Sequence, residues 1–169
     1  MTILYPEIDS PELKPYAAPL GRLMLAYGRA VAATISLAEY KLGSEIKAAQ
    51  LVNKDSDKLP KRMRKLFRGD LKGDNFKAFS HALTRMKIIA AERHQLVHGQ
   101  WWLKFVGGHL QTRNVQNGRI KHTKPFSPHL LEQYASELDS IATQFDDLEM
   151  SLPRLSGGEL LARLGRMRD

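Results

Sequence analysis

The stretch DNFKAFSHALTRMKIIAAERHQLVHG, residues 74–99, decides the fold class. Phe76, Phe79, Leu83, Met86, Ala90, Arg93 and Val97 recur at alternating steps of three and four, which puts them on one side of a helix. An apolar seam of that length has to be covered by other helices, and Gly99 supplies the stop. The one charged member of the seam is Arg93. At about 100° per residue it lies about 40° from the centre of the stripe, with His94 about 60° off on the other side and His98 about 100° off. Burying a guanidinium without partners is costly. The sequence therefore implies either a carboxylate beside Arg93, for which Glu39 is one candidate, or a polar cleft around it.

Upstream, Leu20, Met24, Tyr27, Val31, Ile35, Ala38 and Leu42 predict a helix from Tyr16 to Leu42, ended by Gly43. The alanines at 17, 18, 26, 30, 32 and 33 form a second face that lets another helix approach closely. Residues 44–58 are ambiguous, with a short helix over Glu45–Val52 as one reading. Pro60 suits the first turn of a further helix whose apolar side is Leu59, Met63, Leu66 and Phe67. Downstream the period changes. Trp101–Val106, His109–Val115 and Arg119–Lys124 predict two or three short strands, and Asn117-Gly118 is a hairpin turn. Ser127-Pro128 opens a last long helix striped by Leu131, Tyr134, Leu138, Ile141, Phe145 and Leu148.

These elements predict an all-α fold: an up-and-down helical bundle with a β-hairpin inserted at about 100–125, before the last long helix. Residues 1–15, with Pro6, Pro11 and Pro15, read as an extended leader ahead of a bundle over 16–152. A short basic amphipathic helix within 153–169 closes the chain.

Composition narrows the function classes. The 169 residues are 43% hydrophobic and 26% charged, which excludes wholesale disorder. With no cysteine there is no thiolate nucleophile, disulfide framework or Cys-based metal site. No basic-then-apolar leader and no long uncharged apolar run appear, so the sequence-based expectation is a cytoplasmic protein without a membrane partner. The formal charge of +8 favours an anionic partner, and it is unevenly distributed. Between 58 and 72, Lys58, Lys61, Arg62, Arg64, Lys65, Arg68 and Lys72 face the single acid Asp70. Residues 101–124 hold five cations and no acid, whereas residues 130–150 hold six acids and no Lys or Arg. The run at Lys61, Arg62, Arg64, Lys65 and Arg68 is either a solvated helix face or an RNA- or phosphate-contacting one.

The segment Glu92-Arg93-His94-Gln95-Leu96-Val97-His98-Gly99 resembles the signature of the HEPN superfamily (higher eukaryotes and prokaryotes nucleotide-binding domain). That family is recognised by an Arg, four to six residues and a His near the end of a bundle helix. As in many members, Gly99 and the aromatics Trp101-Trp102 follow the His, and a variable segment precedes a last amphipathic helix. The resemblance covers residues 16–151. It implies a homodimer with two such motifs facing each other, and a metal-independent endoribonuclease that needs no cofactor. By carry-over, Arg93 binds the phosphate, His98 transfers the proton, and His94 orients the substrate or the partner motif. The implied role is a growth-arrest or phage-defence toxin, with an antitoxin or nucleotidyltransferase as a partner by analogy. This chain has His94 where Asn is frequent, and it places Glu39 only near the end of its first helix. The family also contains binding-only domains, so a non-catalytic RNA- or nucleotide-binding module and a structural oligomer stand as alternatives.

His94 and His98 have the four-residue spacing of a helical metal pair, but nothing in the spacing nominates a third ligand among His81, His109 and His122. Trp101-Trp102 could stack bases, although one of two adjacent strand residues normally faces a core. No phosphate-cradling glycine loop or nucleophile elbow occurs.

Overall fold

The computed structural model describes residues 11, 13–54, 57–98, 113–116, 119–122 and 125–153, with backbone alone for 98, 113–116 and 119–122. It is mostly helical. Five helices occur among the described residues: α1 (Lys14–Leu42), α2 (Glu45–Asn53), α3 (Leu59–Phe67), α4 (Gly73–His98) and α5 (Pro128–Ser151). Between α4 and α5, β1 (Arg113–Gln116) and β2 (Arg119–His122) form an antiparallel ladder pairing Arg113 with His122 and Gln116 with Arg119. Of the leader expected over residues 1–15, residues 1–10 and 12 lie outside the described residues, and Lys14 and Pro15 already belong to α1, which starts two residues before the expected Tyr16. The strand expected over Trp101–Val106, the Asn117-Gly118 turn and the terminal basic helix also lie outside the described residues.

The helix boundaries follow from local chemistry. Gly43 stops α1 at φ +63°, a left-handed conformation that costs glycine little, and its N–H donates to Glu39 O at 2.7 Å. Ser44 then caps α2, accepting the Lys47 N–H. Pro60 occupies the first turn of α3, where its missing N–H has no partner to lose. Gly73, at φ +56°, opens α4. Ser127 caps α5, with Oγ accepting the Leu130 N–H at 3.0 Å and its carbonyl accepting the Leu131 N–H at 3.1 Å.

The chain forms two compact units. The first comprises residues 1–28 and 88–139. Its core includes Tyr16, Leu23, Ala26, Ile89, Leu96, Phe126, Leu131 and Leu138. Tyr16 Oη donates to Phe126 O at 3.4 Å, and Arg22 pairs with Glu132 at 2.7 Å, joining the first half of α1 to the start of α5. The second unit comprises residues 29–87 and 140–169. Phe79 stands at its centre, edge-on to Phe67 of α3 at 5.4 Å and tilted against Phe145 of α5 at 5.6 Å. Arg29 reaches Thr143 and Asp146 of α5, and Thr34 Oγ1 contacts Met86 Sδ of α4 at 3.5 Å.

The covered side of α1 differs from the expected stripe. Leu23, Ala26, Ala30, Ala33, Leu37 and Ala38 are buried, while Leu20, Met24, Tyr27, Val31, Ile35 and Leu42 are half-buried. Small side chains at the centre of the face allow neighbouring backbones to come close, and the long ones then cover the flanks. Leu23 and Leu37, which the expected stripe left out, lie on this buried face together with the alanines. Replacing Ala30 by Leu is expected to cost about 1–3 kcal/mol through overpacking. Ala32→Leu, on the exposed side of the same helix, should stay within about 0.5 kcal/mol of wild type. Urea unfolding of the two variants checks the assignment, and equal midpoints would place the core face wrongly.

Candidate functional site

Arg93 lies in the last turns of α4, in the first unit. The fully covered positions of α4 are Phe79, Ala82, Leu83, Met86, Ile89 and Leu96. Their mean bearing falls within about 10° of Arg93 at 100° per residue. The guanidinium-bearing residue is thus more central than the apolar stripe implied, because Ile89 and Leu96 are the deep positions where Ala90 and Val97 were expected.

Two α1 side chains seat Arg93. Its Nε donates to Met24 Sδ at 3.3 Å, and its guanidinium carbon lies 4.9 Å from the centroid of the Tyr27 ring. A cation over an aromatic face is worth about 0.5–2 kcal/mol, rising as water is excluded. Among the described residues no carboxylate pairs with Arg93, and Glu39, the candidate partner, is exposed on α1. Among the described residues neither terminal guanidinium nitrogen takes a hydrogen-bond partner. The result is a half-buried cation held by its stem, its Nε and its flat face.

Met24 and Tyr27 were expected only as members of the α1 stripe, and their role in seating Arg93 was missed. Nothing in their spacing announces it; the register of α1 against α4 does. His94 is exposed and lies one residue beyond Arg93. His98 is the last residue of α4, and its side chain lies outside the described residues. Five residues of helical rise place its backbone about 7.5 Å further along the axis than that of Arg93.

In the second unit, α3 buries Leu59, Pro60, Met63 and Phe67 and turns its cations outward. Lys61, Lys65 and Arg68 are exposed and Arg62 is half-buried. These four form no ion pair among the described residues. Arg64 behaves differently. Its Nη2 donates to Ser80 O at 2.9 Å and to Thr84 Oγ1, both on α4, and its Nε is buried without a partner beside the equally unpaired Ser80 Oγ. Expected as a phosphate contact, Arg64 is instead the polar link between α3 and α4. The sequence could not separate it from Lys61 and Lys65, because only the position of α4 decides which flank of α3 is covered.

No group of three His, Cys, Asp or Glu side chains placed to hold a metal occurs among the described residues. No helix among them is long and apolar enough to cross a membrane. No family model, curated protein or solved structure matches the chain.

Loss of the Arg64 link is expected to be visible as instability. Arg64→Ala should cost about 1–2 kcal/mol by removing two hydrogen bonds, whereas Lys61→Ala should stay within about 0.5 kcal/mol. Chemical denaturation of both variants measures the contrast; similar losses would mean that Arg64 is a surface residue like its neighbours.

Proposed function

We propose that the chain is a metal-independent endoribonuclease of the HEPN type, acting as a homodimer on RNA, in which Arg93 holds the scissile phosphate and His98 transfers the proton. The observation that carries this reading is Arg93 itself. A cation at the centre of a helix's covered face, seated on Tyr27 and Met24 and without a carboxylate partner among the described residues, supports an anionic ligand over a structural ion pair.

RNA supplies its own nucleophile. The 2′-hydroxyl attacks phosphorus, the O2′–P bond forms, the P–O5′ bond breaks, and the proton released at O2′ is balanced by one delivered to O5′. Negative charge builds on the non-bridging oxygens in between, where a guanidinium fork stabilises it. A histidine titrates near neutrality and can serve as the base or the acid. His94 orients the substrate or the facing motif. The products carry 2′,3′-cyclic phosphate and 5′-hydroxyl ends. Cytoplasmic growth arrest or phage defence, held in check by an antitoxin or nucleotidyltransferase, is the role that goes with this chemistry by analogy.

A second reading is favoured by the unpaired cations of α3: a module that binds RNA or a nucleotide without cutting it. Incubation of RNA with the protein in excess EDTA separates the two. Cleavage is expected in EDTA, with cyclic phosphate termini, and should fall at least about 100-fold in Arg93→Ala and in His98→Ala, with helicity by circular dichroism unchanged. Binding without cleavage across salt conditions would overturn the nuclease.

A further inference from the structure

From sequence alone, α3 is a basic amphipathic helix, a pattern shared by helices that lie on anionic membranes and helices that follow nucleic-acid backbones. The structure separates these. A membrane-surface helix needs its apolar side free to enter the lipid, but here Leu59, Met63 and Phe67 are buried, with Phe67 edge-on to Phe79. The outward side carries Lys61, Lys65 and Arg68, flanked by Arg62, with no large apolar residue among them. Nothing on it can insert into a bilayer.

Among the described residues, the acids nearest this helix in sequence are engaged elsewhere. Asp70, the one acid in the run, pairs with Lys41 of α1 at 2.7 Å, and Lys41 in turn lies over the Phe67 ring. Asp57, just before the helix, pairs with Lys87 of α4 at 3.1 Å. Lys61, Lys65 and Arg68 fall within an arc of about 60° and span about 10 Å of helix axis, a length over which one strand of a duplex presents about three phosphates. Neither aromatic rings nor amide side chains interleave them, so the row has the means to hold phosphates and none of the groups that read base edges.

We propose that the outer face of α3, Lys61, Lys65 and Arg68 with Arg62 at its flank, is a binding surface for the phosphodiester backbone of nucleic acid, blind to base sequence and to the sugar. It does not depend on the chain being a nuclease. A single strand of DNA therefore binds as RNA does, although DNA lacks the 2′-hydroxyl needed for cleavage.

The test uses fluorescence anisotropy with a labelled oligothymidylate, which the proposed nuclease cannot cut. The full chain is expected to bind it with log K falling linearly in log salt, at a slope near −2 to −3 for three or four phosphate contacts on a single strand (about −0.7 each). Lys61→Ala/Lys65→Ala/Arg68→Ala should weaken binding at least about ten-fold at low salt and flatten the slope by about 2. A control triple of equal charge, Lys14→Ala/Lys47→Ala/Lys77→Ala, removes exposed cations elsewhere and should bind within about three-fold of wild type. Equal losses in both triples would reduce the effect to bulk charge and overturn the surface, as would unchanged binding in the α3 triple. Binding to phosphatidylserine vesicles without binding to the strand would also overturn it. A chain that binds the strand but leaves RNA intact in EDTA upholds this surface while defeating the nuclease, so the two fail separately.

Discussion

The constraint on which the rest depends is the close approach that α1 permits. Ala26, Ala30, Ala33 and Ala38 are nearly or wholly inaccessible, although none of them carries enough surface to drive burial alone. What they contribute is room. Backbones that approach an alanine face closely bring long side chains on both flanks into register, and those flanking side chains make the specific contacts. Thr34 shows how tight this is. Its buried hydroxyl donates to Ala30 O at 2.6 Å within the helix, so it leaves no unpaired donor where Met86 abuts it. Arg29, at the edge of the same face, reaches Thr143 and Asp146 on α5.

Within the first unit, α1 sets the environment of Arg93. Met24 and Tyr27 are flank residues of α1, half-buried because the smaller residues beside them lie deepest. Their sulfur and ring then receive the guanidinium that α4 projects from the centre of its own covered face. Soft, polarisable partners suit a cation here. A carboxylate would satisfy Arg93 completely and compete with any anionic ligand, whereas a ring face and a thioether hold the planar group without neutralising it. Among the described residues, the cost of placing a cation in the helix seam is offset by these two contacts.

Much of the fold was legible in the sequence, and the reasons differ by element. The α4 and α5 helices follow from three–four periodicity, and the end of α1 and the start of α5 from Gly43 and Ser127, whose backbone and side-chain chemistry is local. The core side of α1 was not legible to the same degree, because periodicity weights large residues and this face is centred on small ones. For the candidate site, Arg93 announced itself as a charge on a seam, but its partners did not. Glu39 looked suitable on composition, and only the tertiary register shows that Met24 and Tyr27 seat the guanidinium. Arg64 marks the same limit on α3: it shares a helix with Lys61 and Lys65, and the location of Ser80 and Thr84 alone sets it apart.

The net charge takes on a different meaning once the pairs are placed. In the first unit Glu132 of α5 is engaged by Arg22, and in the second Asp146 of α5 is engaged by Arg29. Asp70 and Asp57, the acids nearest α3 in sequence, are engaged by Lys41 and Lys87. The Lys41–Asp70 pair is the more sheltered of these, at 13% and 27% side-chain exposure, and so is screened least by salt. Each such pair takes a carboxylate out of the field that an approaching ligand meets. Among the described residues no carboxylate pairs with the outward row of α3, Lys61, Lys65 and Arg68. A charge excess that looks like a property of the whole chain is, among the described residues, partly cancelled by such pairs and left uncancelled along the outward row of α3.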